Sequence, residues 1–364
     1  MSKTATAAVV REVGGRYSLE TVELDDLRPN EVYVRIQAVG VCHTDANMQE
    51  MVPMPAVLGH EGAGVVEEVG SAVTDFKPGD RVILSWPSCG TCPNCLTGKR
   101  YICDKAFQLL FGGRRLDGSS TIKLNGEWIS GAWFQQSSFA THALVPADSL
   151  VPADDDVPAE VLAALPCGAM TGAGAITSAL GVGPEDGVLI LGAGGVGQAA
   201  IMAARMAGAD PIIAVDVKPD RLKLAQELGA THVIDASQEE TVERVLEISP
   251  GGVRFAFDSS GVVSSWNVAA LGLRAGGVFA VCAPVERETL GGSPHFFLSK
   301  GVRIQFVMGG NVVPRVYLPK MMRWYKQGRF PIDRLITTFP FAQINEAFAA
   351  AHEGKAVKPV LVMP

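Results

Sequence analysis

Gly187-Val188-Leu189-Ile190-Leu191-Gly192-Ala193-Gly194-Gly195-Val196-Gly197 is the stretch on which the fold turns. Consecutive aliphatic residues without alternation read as a strand buried on both faces. The glycines after them fit G-x-G-x-x-G, and residues of helical period run on to Gly208. Residues 211–216 are a second apolar run, ending in a carboxylate nineteen positions past Gly197. The glycine pattern alone is weak, because glycines also serve packing. A strand before it, a helix after it and an acid closing the next strand make it specific for a dinucleotide. Gly192, Gly194, Gly195 and Gly197, with Val196 among them, let the backbone reach a pyrophosphate at the free N–H groups of a helix start. Asp216 would accept from the adenosine ribose hydroxyls and repel a 2′-phosphate, which favours NAD over NADP. Lys218 and Arg221, just beyond it, are cations able to temper that preference.

Alternation of buried strands and helices continues outward from this unit. Helices are expected over 219–228, to about 248 and to 273. Strands are expected near 232–234, 254–258, 277–283 and 302–307, which together predict a doubly wound parallel sheet, an α/β fold. Residues 1–168 have another character. Val32, Val34, Ile36 and Ala38 alternate with Tyr33, Arg35 and Gln37, and short glycine-punctuated runs follow over 62–69 and 81–86. That half reads as a mostly β domain whose loops carry cysteine and histidine, with an irregular stretch over 107–136. A dinucleotide-binding domain over 169–308 follows. Residues 309–364 hold two helices and a last strand, expected to return to the first domain.

At 364 residues the chain exceeds the usual length of one core. A net charge of −7 and the lack of a Lys/Arg-rich run argue against a nucleic-acid partner. The N-terminal residues lack the basic and apolar segments of a signal peptide. Residues 161–184 carry no charge, but Pro166, threonines and many glycines replace the bulky aliphatics of a membrane span. No membrane partner is expected, and a cytoplasmic location follows from the absent signal and from how the cysteines are used.

Those cysteines number seven, and Cys89, Cys92, Cys95 and Cys103 crowd into residues 89–103. Close C-x-x-C steps turn successive thiolates onto one ion, and a fourth closes the tetrahedron. Buried thiols, disulfides and an Fe–S cluster are the alternatives, and no second cysteine-rich run supports the cluster. A closed four-thiolate set has no open position, so its role is structural. Cys42 and His60 are eighteen residues apart, a thiolate and an imidazole that meet at one ion if the chain folds back. Cys167 is a lone cysteine, a type most often found in cores, but it stands just before the nucleotide domain. With it, Cys42 and His60 make a Cys₂His set with one open position, the pattern of catalytic zinc.

These residues make the chain resemble the zinc-dependent alcohol dehydrogenases of the medium-chain dehydrogenase/reductase family over essentially its whole length. The likeness is carried by Gly59-His60-Glu61 with Gly64 and Gly70, the four-cysteine lobe, Cys167 with Thr171, and 192–197 with Asp216. Cys42-His43-Thr44-Asp45, residues 136–143 and Asp333-Arg334-Leu335-Ile336-Thr337 make it most similar to bacterial aryl (benzyl) alcohol and geraniol dehydrogenases. The resemblance implies a GroES-like catalytic domain, two zinc ions per chain and NAD. It implies reversible oxidation of primary, aromatic or allylic, alcohols to aldehydes.

It also implies residue roles. Thr44 accepts the alcohol proton, Asp45 orients the histidine ligand and Glu61 lies beside the metal. Thr171 packs on the nicotinamide, while His43 and Lys358 contact the pyrophosphate. A homodimer or homotetramer is expected, joined through the strand near 302–307. Many members end the proton relay in a histidine where this chain has Asn47, an amide that does not titrate near neutrality. Protons are therefore expected to leave through water. Thiol-linked formaldehyde oxidation and a non-catalytic nucleotide-binding redox sensor are the competing functions. His142, His232, His295, His352 and Cys282 read as structural, and Trp86, Phe107 and Trp133 as pocket wall or core.

Overall fold

The structure, a computed structural model, describes residues 3–283 and 294–364. It divides into two compact units. One comprises Met1–Cys167, Val313–Lys326 and Ile332–Pro364, the other Gly168–Val312 and Gln327–Pro331.

The first unit is built on the ten-residue strand Glu31–Gly40, whose alternating apolar residues are buried. It pairs antiparallel with Gly62–Val69, His142–Pro146 and Lys358–Val362, so three distant segments converge on it. The order across this sheet is Leu150–Pro152, Arg81–Leu84, Gly62–Val69, Glu31–Gly40, Lys358–Val362, Ile336–Pro340. A second sheet runs Ala56–Val57, Thr4–Val10, Ser18–Leu24, Ile122–Leu124, Glu127–Ile129. The stretch over 107–136, read as irregular, thus contains a small hairpin and the helix Ala106–Phe111. Its strands are too short to show periodicity; they exist because Glu23 and Leu24 offer a free edge to Lys123 and Ile122.

In the second unit six parallel strands lie in the order His232–Asp235, Ile212–Asp216, Val188–Leu191, Val253–Asp258, Leu273–Val281, Arg303–Phe306. This 3-2-1-4-5-6 order reverses beside Val188–Leu191, the glycine-rich strand of the sequence. Leu189, Leu191, Ile213, Val215 and Phe279 form its core with Trp266. Leu273–Val281 starts four residues earlier than the sequence indicates. Its first residues are mostly exposed and do not look strand-like, yet Leu273 pairs with Val253 ahead of an irregularity in the register.

The helical stretch Ala159–Leu180, uncharged beyond Glu160, is long and apolar enough to cross a membrane by length and composition, and 72% of its apolar window is buried within the protein. It is not a regular α-helix. Leu165–Ala169 and Ala175–Leu180 are π-helical turns. Pro166 explains the first, since it has no N–H to donate and its ring crowds the carbonyl one turn back, at Leu162.

Candidate metal centres and coenzyme site

Sheet register brings the first metal centre together. Val39 pairs with Gly62 and Ala38 with Ala63, so the end of Glu31–Gly40 lies beside the start of Gly62–Val69. Cys42 follows the first strand and His60 precedes the second. The segment between them folds back through the short helix His43–Asn47. Cys167 projects from the π-helical turn at Pro166. Cys42, His60, Glu61 and Cys167 each place a ligand atom within 4.8 Å of the others.

The spacing fits zinc. Cys42 Sγ and Cys167 Sγ are 4.0 Å apart, where two sulfurs about 2.3 Å from one tetrahedral ion stand about 3.8 Å apart. His60 Nε2 lies 3.3 Å from Cys167 Sγ. The hydrogen bond from Cys167 holds the Cys42 thiol well below its ordinary pKa, against the opposing effect of burial, with His60 and Lys358 adding to the lowering.

Around these atoms the protein supplies a buried, hydrogen-bonded shell. His60 Nδ1 lies 2.8 Å from Asp45 Oδ1, which also accepts from Gly59 N at 3.2 Å and from Trp133 Nε1 at 2.9 Å. The Nδ1–H tautomer this favours leaves Nε2 free to bind a metal. Gln136 accepts from Gly62 N and donates to the His60 carbonyl at 3.0 Å. Phe134 stacks on the imidazole, with ring centroids 4.3 Å apart. Trp86 meets Phe134 edge-on at 5.7 Å. Phe107, the third aromatic singled out in the sequence, is 66% exposed and packs on Phe111 instead.

Glu61 is fully buried, with Lys358 Nζ on its Oε2 and, among the described residues, no hydrogen-bond partner on Oε1. Gly40 makes the room for it: a Cβ there would stand 1.9 Å from Glu61 Oε2. Burial pushes the Glu61 carboxyl up, to about 7, against the opposing pull of Lys358. The resemblance puts Lys358 at a pyrophosphate; the structure buries it against Glu61, with the Val41 carbonyl 3.4 Å away. Thr44 is half-buried on the His43–Asn47 helix, while His43 and Asn47 are exposed.

Cys89, Cys92, Cys95 and Cys103 form the other cluster, again with sulfurs within 4.8 Å of one another. Cys89 and Cys95 are 3.9 Å apart. Backbone N–H groups of Cys92, Cys95 and Lys105 point at the sulfurs of Cys89, Cys92 and Cys103. Burial works against ionising Cys89, but the N–H donors from Thr91 and Cys92 outweigh it and bring the thiol down to about 6. No open position remains among four thiolates, which fits a structural zinc.

In the second unit Gly195–Ala207 is the helix that the glycine pattern predicts, with Gly194 at its cap. Gly197 has no alternative: a Cβ would lie 1.9 Å from the Gly192 carbonyl oxygen. Asp216 closes its strand and is 9% exposed. Its Oδ2 accepts from Ala193 N at 2.8 Å, and its Oδ1 accepts from Val217 N and Lys218 N. Arg221 Nη1 stands 3.7 Å from the carboxylate. The acid therefore also ties the glycine loop to the next strand, a role its sequence position does not disclose. Thr171 is buried on the helix Met170–Gly174.

The comparisons agree with this arrangement. Residues 28–155 match the family described as the alcohol dehydrogenase GroES-like domain, and residues 195–327 that described as zinc-binding dehydrogenase. The chain is 41% identical to the geraniol dehydrogenase of Castellaniella defragrans over 364 residues, covering 99% of this chain and 98% of that protein. An alcohol dehydrogenase zinc-binding domain protein from Burkholderia ambifaria superposes with a TM-score of 0.97 at 40% identity, and the benzyl alcohol dehydrogenase of Acinetobacter calcoaceticus with 0.95 at 38%, each over 100% of both chains. With a Cys₂His centre, a four-thiolate centre and a dinucleotide unit on one chain, this protein belongs to the zinc-binding alcohol dehydrogenases of the medium-chain dehydrogenase/reductase family and is a zinc- and NAD(P)-linked enzyme that interconverts alcohols and aldehydes.

Proposed function

We propose that the substrates are primary aromatic or allylic alcohols, oxidised reversibly to aldehydes with NAD. Half-buried Trp86, set edge-on against the buried Phe134 that stacks on His60, carries this reading, because its indole offers an aromatic surface near the centre to a flat unsaturated group. The geraniol and benzyl alcohol dehydrogenases among its relatives support it. Cys42, His60 and Cys167 would hold the catalytic zinc, and Cys89, Cys92, Cys95 and Cys103 the structural one. Zinc bound there would supply a Lewis acid for the alcohol oxygen, and bound NAD would supply the hydride acceptor. Thr44 takes up the alcohol proton and releases it to water, since exposed Asn47 offers no titrating group. Asp45 fixes the His60 tautomer. Glu61 waits beside the centre with one free carboxylate oxygen. Thr171 contacts the nicotinamide, and His43 the pyrophosphate.

The experiment is an absorbance screen for NADH formation over benzyl, cinnamyl, geranyl, straight-chain and secondary alcohols, with the glutathione adduct of formaldehyde as a further arm. The highest kcat/KM is expected for benzyl, cinnamyl or geranyl alcohol. Turnover confined to the thiol adduct would make this a thiol-linked formaldehyde dehydrogenase, and no turnover of any alcohol would leave the redox-sensor function.

Repeating the screen with NADP tests Asp216. Asp216→Gly should move the ratio of NAD to NADP efficiency toward NADP by about tenfold or more, because a like-charge contact with the 2′-phosphate is lost. It should also lower thermal stability, as Ala193 N loses its acceptor. An unchanged coenzyme ratio would count against Asp216 as the selector.

We also propose a homo-oligomer formed through the strand Arg303–Phe306. It lies at the sheet edge, with Ile304 39% and Phe306 69% exposed. Unpaired edges invite strand addition by a second copy. Light scattering should give a dimer or tetramer, and Ile304→Lys with Phe306→Lys should reduce its mass; a monomeric wild type would refute the proposal. A reducing, cytoplasmic location suits seven free thiols, and cell fractionation checks it.

A further inference from the structure

Asp45 is bound more one-sidedly than a histidine-orienting carboxylate requires. Three donors converge on its Oδ1, from His60 Nδ1, Gly59 N and Trp133 Nε1, while Oδ2 is buried without a partner. Asp45, His60 and Trp133 are all fully buried, so water cannot stand in for any of these contacts. Two of the donors come from residues 59–60. Among the described residues, only Trp133 adds a donor from outside that pair. Without its N–H, Asp45 is free to turn about Cβ–Cγ and offer either oxygen, and the His60 ring follows its acceptor.

The chain goes to some length to deliver that indole. Phe134, Gln135 and Ser137 all have positive φ, at 49°, 56° and 46°, a region that L side chains enter at a cost. The turn is held by Ser137 Oγ, which accepts from Trp133 N at 2.9 Å and donates to the Val57 carbonyl at 2.6 Å. Gln135 Nε2 adds a bond to the Arg114 carbonyl at 2.8 Å. Simple core packing would need none of this, because a tryptophan can fill space from an ordinary strand or helix. What the strained turn achieves is the pairing of an N–H with Asp45 and a stacked ring on His60 in consecutive residues.

We propose that Trp133 is a positioning residue of the Cys42/His60/Cys167 centre, its indole N–H fixing the Asp45 carboxylate and through it the tautomer and aim of His60. The proposal rests on reading that cluster as a zinc site. Groups one step behind a metal ligand govern how firmly the ion is held.

The test is zinc release from the purified holoenzyme into a chromogenic chelator. Trp133→Phe keeps an aromatic ring, smaller than indole, and removes the N–H. One of two zincs should then leave about tenfold faster, the low end of what losing such a partner does, while the other leaves at the wild-type rate. The visible absorption band of the cobalt-substituted centre should shift as well. In an Asp45→Asn background the same substitution should add nothing, because both act through one contact. Replacing Trp133 by β-(3-benzothienyl)alanine, which keeps the shape and puts sulfur in place of the N–H, should behave like Trp133→Phe even if that variant folds poorly. Wild-type release and an unshifted band in the benzothienyl protein would overturn the proposal, as would additive effects in the double variant. A wild-type protein that carries only the four-cysteine zinc would instead overturn the zinc reading beneath it.

Discussion

Alanine at Cys167 leaves the protein with one zinc per chain and lowers kcat/KM for its alcohol by about a thousandfold or more. The reasoning starts from ligand count. Catalytic zinc is held by three protein atoms, and removing a thiolate leaves Cys42 and His60, too few to retain it against dialysis. Lewis-acid stabilisation of developing oxygen charge is worth several kcal/mol, and about 4 kcal/mol is already a thousandfold in rate. The fold should survive. Cys167 is small, and the π-helical turn that carries it is set by Pro166 rather than by the thiol. The four-cysteine lobe shares no ligand with this centre, so its zinc stays and serves as the internal standard. Elemental analysis of dialysed protein and initial rates give the two readouts. Two zincs per chain together with wild-type kcat/KM would remove Cys167 from the centre.

That centre was half legible in the chain. Cys89, Cys92, Cys95 and Cys103 declare themselves because their geometry is local, with turns closing within fourteen residues. The glycine loop and Asp216 are legible for the same reason, since a strand, a turn and a helix impose fixed spacings. Cys42 and His60 could be paired because a thiolate and an imidazole eighteen residues apart meet at one ion once the chain folds back. Trp133 could not be assigned, because its partner Asp45 is 88 residues away and nothing in Ala132-Trp133-Phe134 announces a left-handed turn at a phenylalanine. Lys358 lies 297 residues from Glu61 and reads equally well as a phosphate contact. Gly40 looks like a strand end; only the position of the Glu61 carboxylate shows why it has no side chain. Motifs fixed by backbone spacing are readable one segment at a time. The contacts that tune them come from sheet register and buried side chains, which depend on the whole fold.

Arg115 shows how much of the structure depends on such a hidden contact, and Arg115→Met should destabilise the protein by about 3–5 kcal/mol. The residue stands in the stretch that looked irregular in sequence. Its guanidinium grips Glu31 with Nε at 2.6 Å from Oε1 and Nη2 at 2.9 Å from Oε2, and its Nη1 donates to Asp25 and to the Ser120 carbonyl, each at 2.7 Å. Burial alone would disfavour the guanidinium charge, but Glu31 and Asp25 more than offset that and raise its pKa. The Arg115 and Glu31 side chains are 7% and 5% exposed, so this is a desolvated, bidentate pair rather than a surface one. Methionine fills the space and leaves Glu31 charged in the interior, with the Arg28 N–H 3.3 Å from Oε2 as its remaining donor. Glu31 opens the strand on which the whole first unit is assembled, so the loss falls where three segments converge. The thermal midpoint of the zinc-loaded protein should drop by roughly 10 °C. Adding Glu31→Gln should recover much of that drop, because the cost is an unpaired buried charge and not a lost attraction. Equal midpoints for wild type and Arg115→Met, or a double variant no more stable than the single one, would show that packing around the pair, and not its charge, holds this part of the fold.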